Sequence, residues 1–288
     1  MASETSPLIR SLGPADLERC CAISAQAHWN QTSSDWNFLF ENACTYGVEI
    51  SDRGLVGTTV AWPISAEHAW INMVLVDEVC RGRGLAKAMF ERCLDDLKSK
   101  GVTSFLDATA MGARVYRKFG FEASAEFVRL KGSAAQLRES SEVAGVTSAD
   151  VKSDLAEIAQ WDKQVLGGDR ESFVRRLMCE APALSYCHRD KNHRLDGFAL
   201  GRRGRVATQI GPVVALDLAD AQALISATAN AIDGAVYIDV PVVARGLADW
   251  LSERGFEVER RFLRMGLDGA ELATDWSRYF AIAGPDYG

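Results

Sequence analysis

Arg81-Gly82-Arg83-Gly84 lies between an apolar run, Val74-Leu75-Val76, and a stretch in which Leu85, Met89, Cys93, Leu94 and Leu97 recur at helical spacing. A glycine-rich turn that runs into a helix start leaves backbone N–H groups without partners, and the helix dipole adds positive potential there. Such a spot binds phosphate or pyrophosphate. Glycine at 82 and 84 lets the backbone approach a ligand that a side chain would obstruct. A second pattern follows downstream, Tyr116 and then Phe119-Gly120-Phe121. A phenol with an ordinary pKa near 10 keeps its proton at neutral pH and can give it to a departing group.

The elements that must position these groups read as follows. A strand is expected over Pro7–Leu12, a helix from Pro14, and a second helix capped by Ser33-Ser34-Asp35 and running to about Cys44. A hairpin turns at Asp52-Arg53-Gly54, and His68–Val76 forms a long strand. A helix over Gly84–Lys100 ends at Gly101, then come a strand to Leu106, a helix over Ala110–Phe119 and a strand over Phe121–Leu130. The order β-α-α-β-β-β-α-β-α-β makes a mixed α/β unit large enough to bury its own core. The small, polar stretch Gly132–Gly145 reads as a linker. Helices and strands then resume from about Asp150, with a helix expected over Val243–Arg254 and an aromatic tail, Trp276, Tyr279 and Phe280, expected to dock.

The 288 residues allow one large domain or two ordinary ones. With 48% hydrophobic and 25% charged residues the chain is globular rather than disordered. A net charge of −7 without any block of like charge gives no footprint for nucleic acid. Seven cysteines, an odd number with no C-x-x-C spacing, read as reduced thiols rather than a metal or redox pair. No stretch has the pattern of a signal peptide or the length of a membrane span, so the expected compartment is the cytoplasm, with no membrane partner.

The two halves echo one another. Phe105-Leu106-Asp107 is matched by Tyr237-Ile238-Asp239, and Gly120-Phe121 by Gly255-Phe256. Arg129-Leu130 is matched by Arg264-Met265. In the second half Val213–Ala219 runs into a helix with no Gly-x-Gly, and Leu251 stands where Tyr116 stands in the first. The second copy therefore lacks both the cradle and the acid, and one active site per chain is expected.

These residues resemble the GNAT acyltransferase superfamily. Arg81-Gly82-Arg83-Gly84-Leu85-Ala86 is similar to its acetyl-CoA motif, R/Q-x-x-G-x-G/A, and Tyr116 with Gly120-Phe121 to its Y-x-x-x-G-F motif. Gly168-Asp169-Arg170, Ile210-Gly211-Pro212, Asp239 and Arg264-Met265 fit a second, degenerate GNAT-like domain. The resemblance implies a mixed-sheet α/β fold of two tandem domains, each a mostly antiparallel, splayed sheet flanked by helices. They would span residues 1–131 and 146–288 about a linker at 132–145, with acetyl-CoA bound by the first. It further implies that amides of Arg81–Ala86 hold the pyrophosphate, that Val74, Leu75 and Val76 pair through their backbones with the pantetheine arm, and that Tyr116 is the general acid. No metal is implied.

The base is open. The strand offers Trp70 and Asn72 but no carboxylate, so an ordered water on Asn72 is the expectation. Trp29 and Trp36, near His28 and Asn30, would frame the acceptor, with Asp107, Asp239 and Arg170 as further candidates; core packing or ion pairing is the alternative for each. A small-molecule primary amine is the expected acceptor, in direct transfer from acetyl-CoA. A protein-lysine acetyltransferase and a non-catalytic acyl-CoA binder stay open, as do monomer and homodimer.

Overall fold

The computed structural model describes residues 7–138, 145–244 and 246–288. Two compact units emerge, residues up to 106 with 204–206, and residues 107–203 with 207–288. The first contains β1 (Leu8–Ser11), α1 (Leu17–Gln26), α2 (Ser33–Asn42), β2 (Cys44–Ile50), β3 (Gly54–Pro63), β4 (His68–Val76), α3 (Leu85–Ser99) and the start of β5 (Thr103–Thr109). Its strands lie in the order β1-β2-β3-β4-β5, antiparallel except for the parallel pair β4–β5.

Local chemistry explains the helices. The cap of α2 is Thr32, one residue before the serines expected to cap it. Its N–H donates to the Asp35 carboxylate at 2.7 Å, and Asp35 N–H donates back to Thr32 Oγ1 at 3.4 Å. The helix α3 has no internal glycine or proline, and buries Leu85, Met89, Phe90, Cys93, Leu94 and Leu97 along one stripe. Gly57 lets it lie close to the sheet, because a Cβ there would stand 2.9 Å from Leu75 O and 2.7 Å from Met89 Cε.

The second unit contains α4 (Ala110–Tyr116), β6 (Phe121–Ser133), β7 (Val146–Ser148), α5 (Val151–Leu166), α6 (Glu171–Glu180), β8 (Tyr186–Arg189), β9 (Leu195–Arg202) and β10 (Thr208–Ala215). It continues with α7 (Leu218–Asn230), β11 (Ala235–Pro241), α8 (Leu247–Glu253), β12 (Glu257–Leu267) and β13 (Tyr279–Ala281). The strand order is β12-β6-β11-β10-β9-β8-β7, with β13 on β10. The pair β10–β11 is parallel. The helix α8 starts at Leu247, after the left-handed Gly246, rather than at Val243.

The boundary expected after residue 131 does not coincide with the division between the units. β6 pairs with β11 over Phe127–Ser133 and with β12 over Phe121–Lys131. Its Val128 and Leu130 sit in one buried cluster with Ile210, Leu224, Ile238 and Leu251. Gly132 and Ser133 are strand residues, and Ala134–Gln136 form a single 3-10 turn. Gly132 is small because the Phe256 ring lies where its Cβ would go, not because the chain needs freedom there. Residues 139–144 of the expected linker lie outside the described residues.

Candidate acetyl-CoA site

β4 has a partner along both edges only at its start. It pairs with β5 at His68, Ala69 and Trp70. Against β3 it continues to Leu75 and Val76, opposite Thr58 and Gly57. Among the described pairings, Ile71–Val76 therefore keeps one edge for another extended chain. A bulge marks the change, since the register against β3 shifts between Thr58 and Val60. Buried Met73 lies in the left-handed region at φ 52°, and Thr58 Oγ1 donates to its carbonyl at 2.7 Å. Such a backbone costs of order 1–3 kcal/mol and persists where its surroundings impose it. The sequence reading missed Met73 and Thr58, because a methionine between Asn72 and Val74 carries no bulge signal.

The exit from β4 is clamped by Asp77, also missed. Its carboxylate accepts from Val79 N–H at 3.2 Å and is paired with Arg19, which also donates to Leu55 O at 2.8 Å. Burial pushes this carboxyl up, but Arg19, the Val79 N–H and Gln26 together hold it below its ordinary value. Past the clamp come Gly82 and Gly84, both at φ 76°, with open space where a Cβ would stand. Glycine is needed here for its backbone conformation. Gly84 caps α3 without any side-chain hydrogen bond, and the first turn has no acidic residue. Leu85 anchors that turn, buried among Val48, Ile50, Val56, Cys80 and Met89. Arg81 and Arg83 are exposed. These residues fit a pyrophosphate, with a helix start whose Gly84 cap supplies no side-chain hydrogen bond, two permissive glycines and nearby positive charge.

The second unit ends the same motif differently. β10 and β11 pair only at Thr208–Val236 and Gln209–Tyr237 before they part. β13 enters the gap, with Val213 opposite Ala281, Val214 opposite Tyr279, and a bridge from Asp239 to Ile282. Ile282 N–H donates to Asp239 O at 2.9 Å and Ala215 N–H to Arg278 O at 3.0 Å. The start of α7 is satisfied from within, as Asp217 accepts from Asp220 N–H at 3.0 Å. Ile282 O lies where a Cβ on Gly211 would go. Gly211→Ala is therefore expected to push β13 outward, lowering stability by about 1–3 kcal/mol. Thermal melting with hydrogen exchange over Tyr279–Ile282 checks this, and unchanged protection there would count against it.

Tyr116 ends α4, whose Thr109 cap accepts from Gly112 N–H at 3.2 Å. It is half-buried beside Phe121, with ring centroids 6.2 Å apart, and desolvation pushes its phenol up to about 12. Asn72 is 6% exposed on β4, opposite Val60.

Several expected acceptor residues have other work. Trp36 is fully buried and donates through Nε1 to Ser24 Oγ at 3.0 Å, so it is a core residue. Asp107 and Asp239 are each closed off by a bidentate arginine. Arg264 donates to both Asp107 oxygens at 3.0 Å, and Arg129 to those of Asp239 at 2.8 and 2.7 Å. Both carboxylates have fully buried side chains. Arg170 is likewise buried, bound to Asp162 at 2.7 and 2.8 Å, to Tyr279 Oη at 2.7 Å and to Tyr287 O at 2.6 Å. Trp29 remains half-buried on the α1–α2 loop. The loop carbonyls of Trp29 and Asn30 accept from Arg205, and Asn30 Oδ1 accepts from Val206 N–H at 2.8 Å. Sequence spacing carried no hint of that distant segment.

Among the described pairings, β4 pairs on one side only beyond Trp70, and it leads through a left-handed glycine turn to the start of α3. The acetyltransferase (GNAT) family matches residues 14–121, and an acetyltransferase (GNAT) domain matches residues 158–281. The chain belongs to the GNAT superfamily of N-acetyltransferases and carries two of its domains in tandem. It is similar to the uncharacterized N-acetyltransferase YitH of Bacillus subtilis strain 168, 26% identical over 186 residues, which make up 65% of each protein. The aligned stretch thus falls just short of two thirds of that relative's length. A GCN5-related N-acetyltransferase from Sphaerobacter thermophilus shares the fold with TM-score 0.67 and 15% identity, over 93% of this chain and 98% of that one. So does a tandem GNAT protein from the clavulanic acid pathway, with TM-score 0.65 and 13% identity, over 92% and 99%.

Proposed function

We propose that the chain transfers an acetyl group from acetyl-CoA to the primary amine of a small molecule, in one ternary complex. The observation that carries this is the N-terminus of α3, capped by Gly84 without a side-chain hydrogen bond, at the end of a strand that among the described pairings has one side open. Bound acetyl-CoA supplies an activated acyl group as its thioester. Amides of Gly82, Gly84 and the first turn of α3 would hold the pyrophosphate, and the backbone of Val74–Val76 would align the pantetheine arm. A water on Asn72 would take the amine proton, Tyr116 would give its proton to the departing sulfur, and Trp29 would form part of the acceptor wall.

Titration calorimetry with acetyl-CoA tests the first link, since no heat at high micromolar ligand would remove the proposal. Gly84→Val should weaken acetyl-CoA binding by about 10- to 100-fold. A β-branched residue pays at least ~1–2 kcal/mol to stay left-handed, and the amide geometry shifts. Affinity unchanged in that variant would place the pyrophosphate elsewhere. An amine-library screen for thiol release then identifies the acceptor.

A further inference from the structure

The α1–α2 loop is built against a segment far along the chain. α1 ends on His28, left-handed at φ 56°, with His28 N–H donating to Ala25 O at 3.0 Å and Trp29 N–H to Ser24 O at 3.1 Å. Asn30, 5% exposed, accepts from Arg205 N–H through its carbonyl at 2.9 Å and from Val206 N–H through Oδ1 at 2.8 Å. Gly204 lies so close that a Cβ there would stand 2.2 Å from Asn30 Nδ2. Residues 204–206 thus belong to the first unit and hold Arg205 beside Trp29. The guanidinium donates through Nε to Trp29 O at 3.1 Å. Its two terminal nitrogens have no hydrogen bond and no carboxylate partner among the described residues, in a chain with 39 acidic residues against 32 basic ones. Residues 27–32 contain no acid, and Asp35, just beyond, is buried and bound to Thr32.

We propose that Arg205 binds an oxyanion of the acceptor, so that the acceptor is an amine that also carries a carboxylate or a phosphate. This rests on the reading that Trp29 forms part of the acceptor wall. A guanidinium pinned at Nε keeps its two terminal nitrogens as a planar pair of donors, which matches either anion in a two-point bond. An uncharged amine would leave that pair to water alone. The same cation disfavours protonation of a nearby amine, which favours the neutral form that attacks the thioester.

Thiol release from acetyl-CoA by the full chain tests this with the common amino acids, their carboxamides and 2-aminoethyl phosphate. Amino acids or the aminophosphate should exceed the uncharged carboxamides in kcat/KM by at least about tenfold, and the better of the two names the anion. Arg205→Met should lower kcat/KM for the preferred anionic amine by about 10- to 100-fold, mainly through KM, the scale of hydrogen bonds to a charged group. Acetyl-CoA affinity should stay unchanged. Arg205→Lys keeps the charge without the fork and should fall between. A role in the loop's structure alone would lower rates with charged and uncharged amines alike, and that result overturns the proposal. Carboxamides used by the wild type as well as the acids also overturn it and leave acetyl transfer standing. Acetyl-CoA binding without turnover of any amine, or no binding at all, removes the acetyl-transfer reading and this proposal with it.

Discussion

Arg264→Met is expected to destabilise the protein by about 3–5 kcal/mol, the cost of leaving the partner of a buried ion pair uncompensated. The side chains of Arg264 and Asp107 are only 2% and 0% exposed. Burial already pushes the Asp107 carboxyl up against the opposing pull of Arg264. Without the guanidinium, Asp107 must take a proton or remain charged in an apolar setting. Against a typical total of about 5–15 kcal/mol, this loss brings the fold close to its limit. Arg129→Met should cost less, because Gln209 Nε2 still donates to the Asp239 carboxylate at 3.2 Å. The double variant Asp107→Leu with Arg264→Met should recover most of the loss, since an apolar pair replaces two desolvated charges. Denaturant midpoints at unchanged slope give the comparison. A loss below about 1 kcal/mol for Arg264→Met would show that the pair is dispensable.

Tyr116→Phe should lower kcat by about 100-fold or more, with acetyl-CoA affinity nearly unchanged, because a general acid contributes some 10²–10⁴ to the rate. Phenylalanine keeps the ring beside Phe121 and removes only the proton donor. The pH profile adds a second readout. A phenol pushed up to about 12 stays protonated through the whole alkaline working range. The proton donor is lost only as pH rises through that value, so turnover should show no descending limb between about pH 8 and 10 from this group. Single-turnover measurements ensure that chemistry is being read. Unchanged kcat would take Tyr116 out of this role, whereas a descending limb near pH 9 that the variant abolishes would keep the role and overturn the upward shift of its phenol.

The sequence made the glycine turn and the helix start legible because their signals are local. Gly82, Gly84 and the apolar stripe of α3 lie within one turn-helix unit, where period and conformation can be read directly. The same holds for the order of elements in the first half. What lay hidden depends on partners distant in the chain. A carboxylate at the end of a strand reads alike whether it faces a substrate or an arginine, and Asp107 and Asp239 were separated from their partners by 157 and 110 residues. Trp36 could not be assigned to the core until Ser24 was seen beneath its indole nitrogen. Gly132 read as a linker residue because flexibility and close packing both select glycine. The bulge at Met73 is fixed by Thr58 on the neighbouring strand, not by its own side chain.

The two buried ion pairs share a further property. Asp107 and Arg129 come from the first sequence repeat, Asp239 and Arg264 from the second, and each aspartate binds the arginine of the other repeat. The rings follow the same rule. Arg129 lies 5.2 Å from the Phe262 centroid and Arg264 lies 4.7 Å from that of Phe127, each phenylalanine two residues before the other arginine. Reciprocal contact of this kind, where i meets j and j meets i, is the signature of an isologous interface in a two-fold dimer. Here both sides of that interface are encoded in one polypeptide. Neither repeat can complete its own charge balance, so a replacement at Arg129 must be answered at Asp239 and one at Arg264 at Asp107. The Gly-x-Gly turn, present in one half and absent from the other, lies outside these pairs.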